Sequence, residues 1–390
     1  MNNAVVVVQP QGNVKNIGDY VQPVAILQFC DSTPEFIDRE QLSFYQSKNE
    51  ERTNVIVNGT YLWKSDNWPP SKDINPLFIS MHIFPMAEQK LFSDNNIKYW
   101  GEHAPIGCRD FSTLRMFQKR NIDAYFSACA TLTLGEKYAY NGIRKGVIFV
   151  DPYIPLPLFE DGASFKKIVF SEIFPTLSFY FANRKVVNRL SSIEYFSQYG
   201  PKWGHSHYKG IKRLIMCHYH ALQFYRLYSQ KFSDEFLLDA EYITHMYRLN
   251  SKSKETDKDL CHIAEQLIIR YSKAQIVVTS RIHAALPCLG LNTPVIFSLS
   301  SDMESKNIQF NTPGRFEGIM DFFRVFRIGN HSISTDDEVL KSHRVITTKT
   351  IIKNKNCHEK YMFMLKEKIK SFLQGGGKVS RLNSTYQMAA

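Results

Sequence analysis

Between positions 276 and 297 the chain spells out a strand, a helix and a second strand. Ile276-Val277-Val278 is a continuous apolar run suited to a strand buried on both faces. Ala284-Ala285-Leu286 has helical character, and Pro294-Val295-Ile296-Phe297 supplies the next apolar run. Such a unit commits its surroundings to an α/β sheet with parallel strands. Arg281 and His283 fall where the first strand ends and the helix begins. Unpaired N–H groups and the positive end of the helix favour an anion at such a junction, and open α/β sheets bind ligands along this edge. The stretch Thr279-Ser280-Arg281-Ile282-His283 therefore reads as a phosphate or carboxylate site. Pro287 has no N–H to give the His283 carbonyl. Either that carbonyl is left for a ligand, or the proline kinks a short helix.

The same alternation runs through the first third. Residues 5–8 read as a strand and residues 19–29 as a helix entered through Asn16-Ile17-Gly18. Residues 55–57 and 77–81 are further strand-like runs, closing on Asn58-Gly59 and His82. Asp110, after Ile106-Gly107-Cys108-Arg109, is placed to cap a helix that ends near Arg120 and Asn121. Residues 122–126 complete the set. A second set begins at Gly146-Val147-Ile148-Phe149-Val150-Asp151, with residues 167–170 after it. Residues 172–238 are aromatic and helical in character, with Ile211, Leu214, Ile215, His218 and Leu222 on one predicted stripe. Residues 240–244 read as a strand ending at His245, and residues 250–257 as a polar linker. Leu260, Ile263, Ala264, Leu267, Ile268 and Tyr271 then follow helical spacing. Met362, Leu365, Ile369 and Phe372 form a last stripe, expected to pack on the body, before a flexible terminus.

A chain of 390 residues suits two domains. Its 44% hydrophobic and 22% charged content predicts a packed protein rather than a disordered one. No apolar stretch approaches the ~18 residues that cross a bilayer. Met1-Asn2-Asn3-Ala4 lacks the basic region of a signal peptide, so a soluble, cytoplasmic protein is expected. The cysteines (Cys30, Cys108, Cys129, Cys217, Cys261, Cys288 and Cys357) are scattered without a C-x-x-C pair, which argues against a disulfide framework and a structural zinc. The net charge of +11 suits an anionic substrate, an anionic membrane surface or nucleic acid, or a lysine-rich solubilising surface. Zinc-finger spacing, an RNP-like motif and a long basic arm are missing, so no nucleic-acid partner is expected.

Arg109 and Arg281 stand at matching junctions, one in each half. Two guanidinium groups facing one cleft can hold a small dianion bidentately without a metal. Alternatively each pairs with a nearby carboxylate, as Arg109 can with Asp110. His82 and His245 close predicted strands. His205/His207 and His218/His220 are H-x-H pairs, a metal spacing on a strand, but on a helix i and i+2 diverge. G-x-S-x-G, Walker A and G-x-G-x-x-G are missing, which removes the nucleophile-elbow, P-loop and dinucleotide readings.

Several strings together resemble the polysaccharide pyruvyltransferase family. They are Asn16-Ile17-Gly18-Asp19-Tyr20, Asn67-Trp68-Pro69-Pro70, and Pro76-Leu77-Phe78-Ile79-Ser80-Met81-His82. Pro105-Ile106-Gly107-Cys108-Arg109-Asp110 and Ala128-Cys129-Ala130-Thr131-Leu132-Thr133-Leu134 continue the likeness. Val278-Thr279-Ser280-Arg281-Ile282-His283-Ala284-Ala285-Leu286-Pro287-Cys288 and Arg315-Phe316-Glu317-Gly318 complete it. The resemblance implies an α/β, GT-B-like arrangement of two Rossmann-like domains with the active site in the cleft between them. Residues 1–140 and 141–345 would be those domains, and residues 346–390 a C-terminal helix and tail. It implies transfer of pyruvate from phosphoenolpyruvate onto a sugar, commonly as a cyclic ketal on a hexose of a cell-surface polysaccharide, with no cofactor and no metal. The family's donor-binding R-[LI]-H carries over onto Arg281, Ile282 and His283, and a further family arginine helps hold the donor. Arg109 joins the donor candidates through its matching junction.

Phosphoenolpyruvate carries a phosphate and a carboxylate, so arginines at helix starts suit it. Ketal formation needs protonation of the methylene carbon, attack by one hydroxyl, loss of phosphate and attack by a second hydroxyl. The acid and the base are each worth ~10²–10⁴ in rate. His283 is then expected as phosphate ligand and proton donor, with Asp19, Asp110 and His82 as acceptor-side acid/base candidates. The expected partners are phosphoenolpyruvate and a sugar or lipid-linked oligosaccharide, with peripheral contact at the inner face of a membrane. A nucleotide-sugar glycosyltransferase of the same architecture and a non-catalytic glycan-binding member are the competing readings.

Overall fold

The computed structural model describes residues 2–8, 14–31, 34–48, 51–61, 64, 66–155, 174–198, 210–249, 255–301 and 313–374. The expected strand at 167–170, His205, His207 and the terminus after Gln374 lie outside them. The chain is α/β, built on two six-stranded sheets.

The first sheet uses β1 (Asn3–Val7), β3 (Glu35–Asp38), β4 (Thr53–Tyr61), β5 (Ile74–Ile83), β6 (Ile106–Cys108) and β7 (Ala124–Phe126). Its order is β3-β1-β4-β5-β6-β7, and every pairing is parallel. The second uses β8 (Val147–Val150), β9 (Glu241–Ile243), β11 (Ile276–Thr279), β12 (Val295–Ser300), β13 (Arg324–Ile328) and β14 (Ile333–Ser334). Its order is β14-β13-β12-β11-β8-β9, parallel except for the edge pair β13/β14. β11 and β12 are buried along their whole length, which is why their sequences run apolar rather than alternate.

A short antiparallel ribbon joins the halves. β2 (Val14–Asn16) pairs with β10 (Met246–Arg248), Asn16 opposite Met246, and the Ile17 N–H donates to the His245 carbonyl at 2.8 Å. Three residues carry no readable period, so neither strand stood out in the sequence.

One core is continuous between the sheets. Val5, Ile56 and Ile79 of the first meet Val150, Val277 and Phe297 of the second through the helices Ile17–Leu27, Asp257–Lys273 and Ile282–Gly290. Each such side chain contributes about 1.5–3 kcal/mol of burial. The helix Glu359–Gln374 lays Leu365, Ile369 and Phe372 into the same core, as its stripe predicted. Lys366 and Lys370 on its outer side both reach Glu136, at 3.0 and 2.6 Å.

The stripe expected in Gly210–Tyr228 needs correction. Leu214 and Ile215 are exposed, whereas Met216, His220, Ala221, Phe224 and Tyr228 are buried. This helix is apolar on more than one side, so its period does not single out one face. The choice falls to the aromatic cluster around Phe149, where Phe224 and Tyr228 stack beside Phe196. Among the described residues no helix is long and apolar enough to cross a membrane.

Candidate functional site

His82 reaches the site because β5 is irregular. The register with β4 shifts between Val57 and Gly59, and Ser80, buried in β5, has φ +56°. The Ser80 N–H donates to Ser127 Oγ at 3.0 Å, and its hydroxyl accepts from the Ala130 N–H at 2.8 Å. A bulge of this kind re-aims the side chains that follow it. Past it, Thr60 stands opposite His82, and Met81 opposite Cys108.

Asp110 is the N-cap of the helix Phe111–Gln118, as the sequence suggested. One carboxylate oxygen accepts the Thr113 N–H at 2.9 Å, and the other lies 2.6 Å from His82 Nδ1. Burial alone would raise this carboxyl's pKa, but His82, Arg109 and the Thr113 N–H outweigh it and hold it below the usual value. The ionised Asp110 fixes the His82 proton on Nδ1, so Nε2 carries the lone pair. His82 is neutral: burial first, then the Arg109 charge, brings its pKa down to about 4 in spite of Asp110.

Arg109 follows β6, its N–H extending the ladder to the Met81 carbonyl at 2.7 Å. Its side chain is fully buried, yet poorly tied. Nη1 reaches Thr60 Oγ1 at 3.4 Å, Nε stands 3.7 Å from Asp110, and Nε and Nη2 have no hydrogen-bond partner among the described residues.

In the second sheet Arg281 lies two residues past the end of β11, as the N-cap residue of the Ile282–Gly290 helix. Its Nε donates to Asp151 at 2.8 Å. Asp151 closes β8 at φ +39°, is buried, and also accepts the His245 N–H at 3.0 Å. Here the carboxylate alternative weighed for the arginines holds: Arg281 is paired before any ligand arrives. Ile282 is buried beside it, with Pro287 inside the helix.

His283, on the first turn of that helix, is buried with Nε2 unpartnered among the described residues, and Nδ1 lies 3.9 Å from Asp19. Burial pushes its pKa well below the ordinary histidine value, and Arg109, Arg315, His245 and His82 push the same way. Asp19 sits in the first turn of the Ile17–Leu27 helix, whose start is capped by Asn16 and pressed against His245. A side chain at Gly18 would fall 2.7 Å from the His245 ring, so the approach needs glycine. Burial raises the Asp19 carboxyl although Arg39, Arg315 and Arg281 oppose it.

The structure therefore brings the charged and titratable candidates (Asp19, His82, Arg109, Asp110, Arg281 and His283) within electrostatic reach of one another, with Ile282 in the core beneath, and it adds residues the motifs did not single out. Arg315 is the main one. It comes from a 3-10 turn, Pro313–Phe316, packed on the start of the Phe111–Gln118 helix. The Phe111 N–H donates to the Glu317 carbonyl at 3.3 Å, Arg115 pairs with Glu317, and Gly318 at φ +81° leaves room for the Phe111 ring. Burial and the neighbouring Arg109 lower the Arg315 pKa to about 10. Only the Arg-Phe-Glu-Gly string hinted at it. Arg39, Asp151 and His245 complete the group, and His245 Nε2 is bonded to Tyr271 at 2.8 Å.

Four arginines (Arg39, Arg109, Arg281 and Arg315) and three histidines stand against three carboxylates (Asp19, Asp110 and Asp151), a balance that suits a compact, multiply charged anion. Comparison with family models matches residues 16–302 to the polysaccharide pyruvyl transferase model. No curated protein and no solved structure matches the chain.

Proposed function

Because the chain belongs to the polysaccharide pyruvyl transferase family, we propose that it moves pyruvate from phosphoenolpyruvate onto two hydroxyls of a hexose as a cyclic ketal. The observation that carries this is Arg109: a buried guanidinium whose Nε and Nη2 have no hydrogen-bond partner among the described residues, beside Arg315 and His283, is matched by a small ligand with two anionic groups. Arg109 and Arg315 take one group and Arg281 with the His283 N–H the other. The two sheets form Rossmann-like domains in a GT-B-like arrangement, divided near residue 140, with the helix Glu359–Gln374 packed back across the body.

Asp19, whose raised pKa favours the acid form, is the proton donor to the methylene carbon, which becomes the pyruvyl methyl group. The neighbouring carbon is then electron-poor, and one sugar hydroxyl adds to it while His82 Nε2 takes the proton. Phosphate leaves into the arginines, and the second hydroxyl closes the ketal, giving its proton to the Asp19 carboxylate left by the first step. Asp110, with both oxygens engaged, orients His82 and does not itself exchange protons. No cofactor or metal enters this chemistry. The acceptor is a sugar or lipid-linked oligosaccharide met in the cytoplasm.

Calorimetric titration of phosphoenolpyruvate, beside a panel of UDP-sugars and an Arg281→Ala control, tests the donor. Saturable phosphoenolpyruvate binding weakened in the control is the expected result. UDP-sugar binding without phosphoenolpyruvate binding would replace this reading with a nucleotide-sugar glycosyltransferase. Binding of neither would leave the non-catalytic member.

A further inference from the structure

The helices Phe174–Ser191 and Gly210–Tyr228 form a hairpin outside the anion site. Arg226 reaches Thr176 at one end, and Arg213 reaches Ser197, just beyond the first helix, at the other, so the two run antiparallel. Their facing sides bury Val187, Leu190, Ala221 and Phe224. Their outer sides carry Leu177, Phe181, Leu214 and Ile215, of which Phe181 is 70% exposed and Ile215 60%. Leu177 and Phe181 lie at the Thr176 end of the hairpin and Leu214 and Ile215 at the Arg213 end, so apolar tips stand open at both ends of it.

Charge identifies the partner. Between positions 174 and 233 the sequence has nine Lys and Arg against one acid, Glu194, so +8 of the net +11 lies in this stretch. Arg184, Lys185 and Arg213 are exposed among the apolar residues. A soluble polyanion would use the cations and leave Phe181, Leu214 and Ile215 in water. A second copy of the chain would set two such charges against each other. An anionic bilayer surface takes both, headgroups on the cations and the acyl boundary on the apolar tips. We propose that this hairpin is a docking surface for an anionic lipid membrane, held peripherally and without insertion of a spanning helix. This goes beyond the transferase reading and does not depend on it.

The test is co-sedimentation of the full chain with vesicles of phosphatidylcholine alone and of phosphatidylcholine with phosphatidylglycerol. Binding to the anionic vesicles only, weakening with added salt, is expected. Each cation near such a surface contributes roughly five-fold in binding, so the triple variant Arg184→Glu/Lys185→Glu/Arg213→Glu is expected to lose about a hundred-fold or more. Phe181→Ser/Leu214→Ser/Ile215→Ser, all at exposed positions, is expected to lose roughly ten-fold or more by the loss of apolar contact. Circular dichroism of both variants checks that they fold. Vesicle binding unchanged in both folded variants overturns the assignment. So does a wild-type chain that ignores anionic vesicles, or one that elutes as a dimer that the serine variant disperses.

Discussion

Arg109 and Arg281 occupy the same kind of place, the end of a parallel strand before a helix, one in each six-stranded sheet, yet they are held differently. Arg281 gives Nε to a buried carboxylate at 2.8 Å. Arg109 is more deeply buried and has a 3.4 Å contact to Thr60 and an Asp110 oxygen at 3.7 Å. A buried charge without hydrogen bonds costs several kcal/mol, and a paired one far less. The second sheet thus presents an arginine already stabilised in position. The first sheet presents one whose cost an arriving anion removes, next to the histidine that would exchange protons.

That contrast breaks down if the first-sheet side does not separate binding from chemistry. His82→Gln keeps a similar shape but cannot act as a base, so kcat should fall by about 10²–10⁴ with donor affinity nearly unchanged. Parallel kinetics and calorimetry check this, and equal losses in both would make His82 a donor ligand instead. Arg109→Met comes next. Losing two charge-assisted hydrogen bonds, each about 1.5–3 kcal/mol, should weaken phosphoenolpyruvate binding by roughly 10²–10⁴. The ligand-free protein should melt at much the same temperature, because a poorly hydrogen-bonded buried charge is gone while Asp110 keeps His82 and the Thr113 N–H. A lower melting temperature with normal affinity would show Arg109 to be structural.

Arg281→Met should behave in the opposite way, losing about 3 kcal/mol of stability at pH 7 because Asp151 is left buried and unpaired. Adding Asp151→Asn should restore most of the stability and none of the donor affinity. The sign with pH follows from the carboxyl. In the native protein burial would raise the Asp151 pKa, but Arg281 and His245 hold it below 3.8. Its contribution is therefore present above that value and is lost only as the pH falls through the lower folded value. Without Arg281, burial prevails and the folded pKa rises above the unfolded one. The variant's deficit should then shrink as the pH falls from 7 toward 4. Urea unfolding at pH 7 and 5 measures it, and a deficit that grows on acidification would contradict the pairing.

How much of this could be read from the sequence depends on how local each signal is. Arg281 and His283 were legible because an apolar strand run and a helix start are written within a few residues, and Asp110 because capping is a property of its own helix. Arg315 was not, since its place depends on a turn that docks on a helix begun 204 positions earlier, at Phe111. Asp151 was visible only as the end of a strand; its role appears when β8 and β11 pair and bring it to Arg281. Leu214, Ile215 and Leu222 were placed on one stripe because they are apolar at helical spacing, yet the neighbouring aromatic cluster buries Leu222 and leaves Leu214 and Ile215 exposed. Local pattern fixes the elements and their ends. Partner choice across the sheet edges fixes which ends become a site.

The smallest effect tests the contrast at its finest point. Thr60 stands opposite His82 in the β4/β5 register, and its hydroxyl accepts from Arg109 Nη1 at the long limit of a hydrogen bond. If Arg109 is truly held in reserve for a ligand, this contact is worth little. Thr60→Val should cost about 0.5 kcal/mol in stability and change phosphoenolpyruvate affinity by no more than about three-fold. The neighbouring His82–Asp110 bond does not involve Thr60, so kcat should be unaffected. A loss from Thr60→Val as large as that from Arg109→Met would mean that the first sheet holds its arginine as firmly as Asp151 holds Arg281. The two halves would then be alike in how they prepare for the donor, and the difference between them would lie in the proton-transfer residues alone.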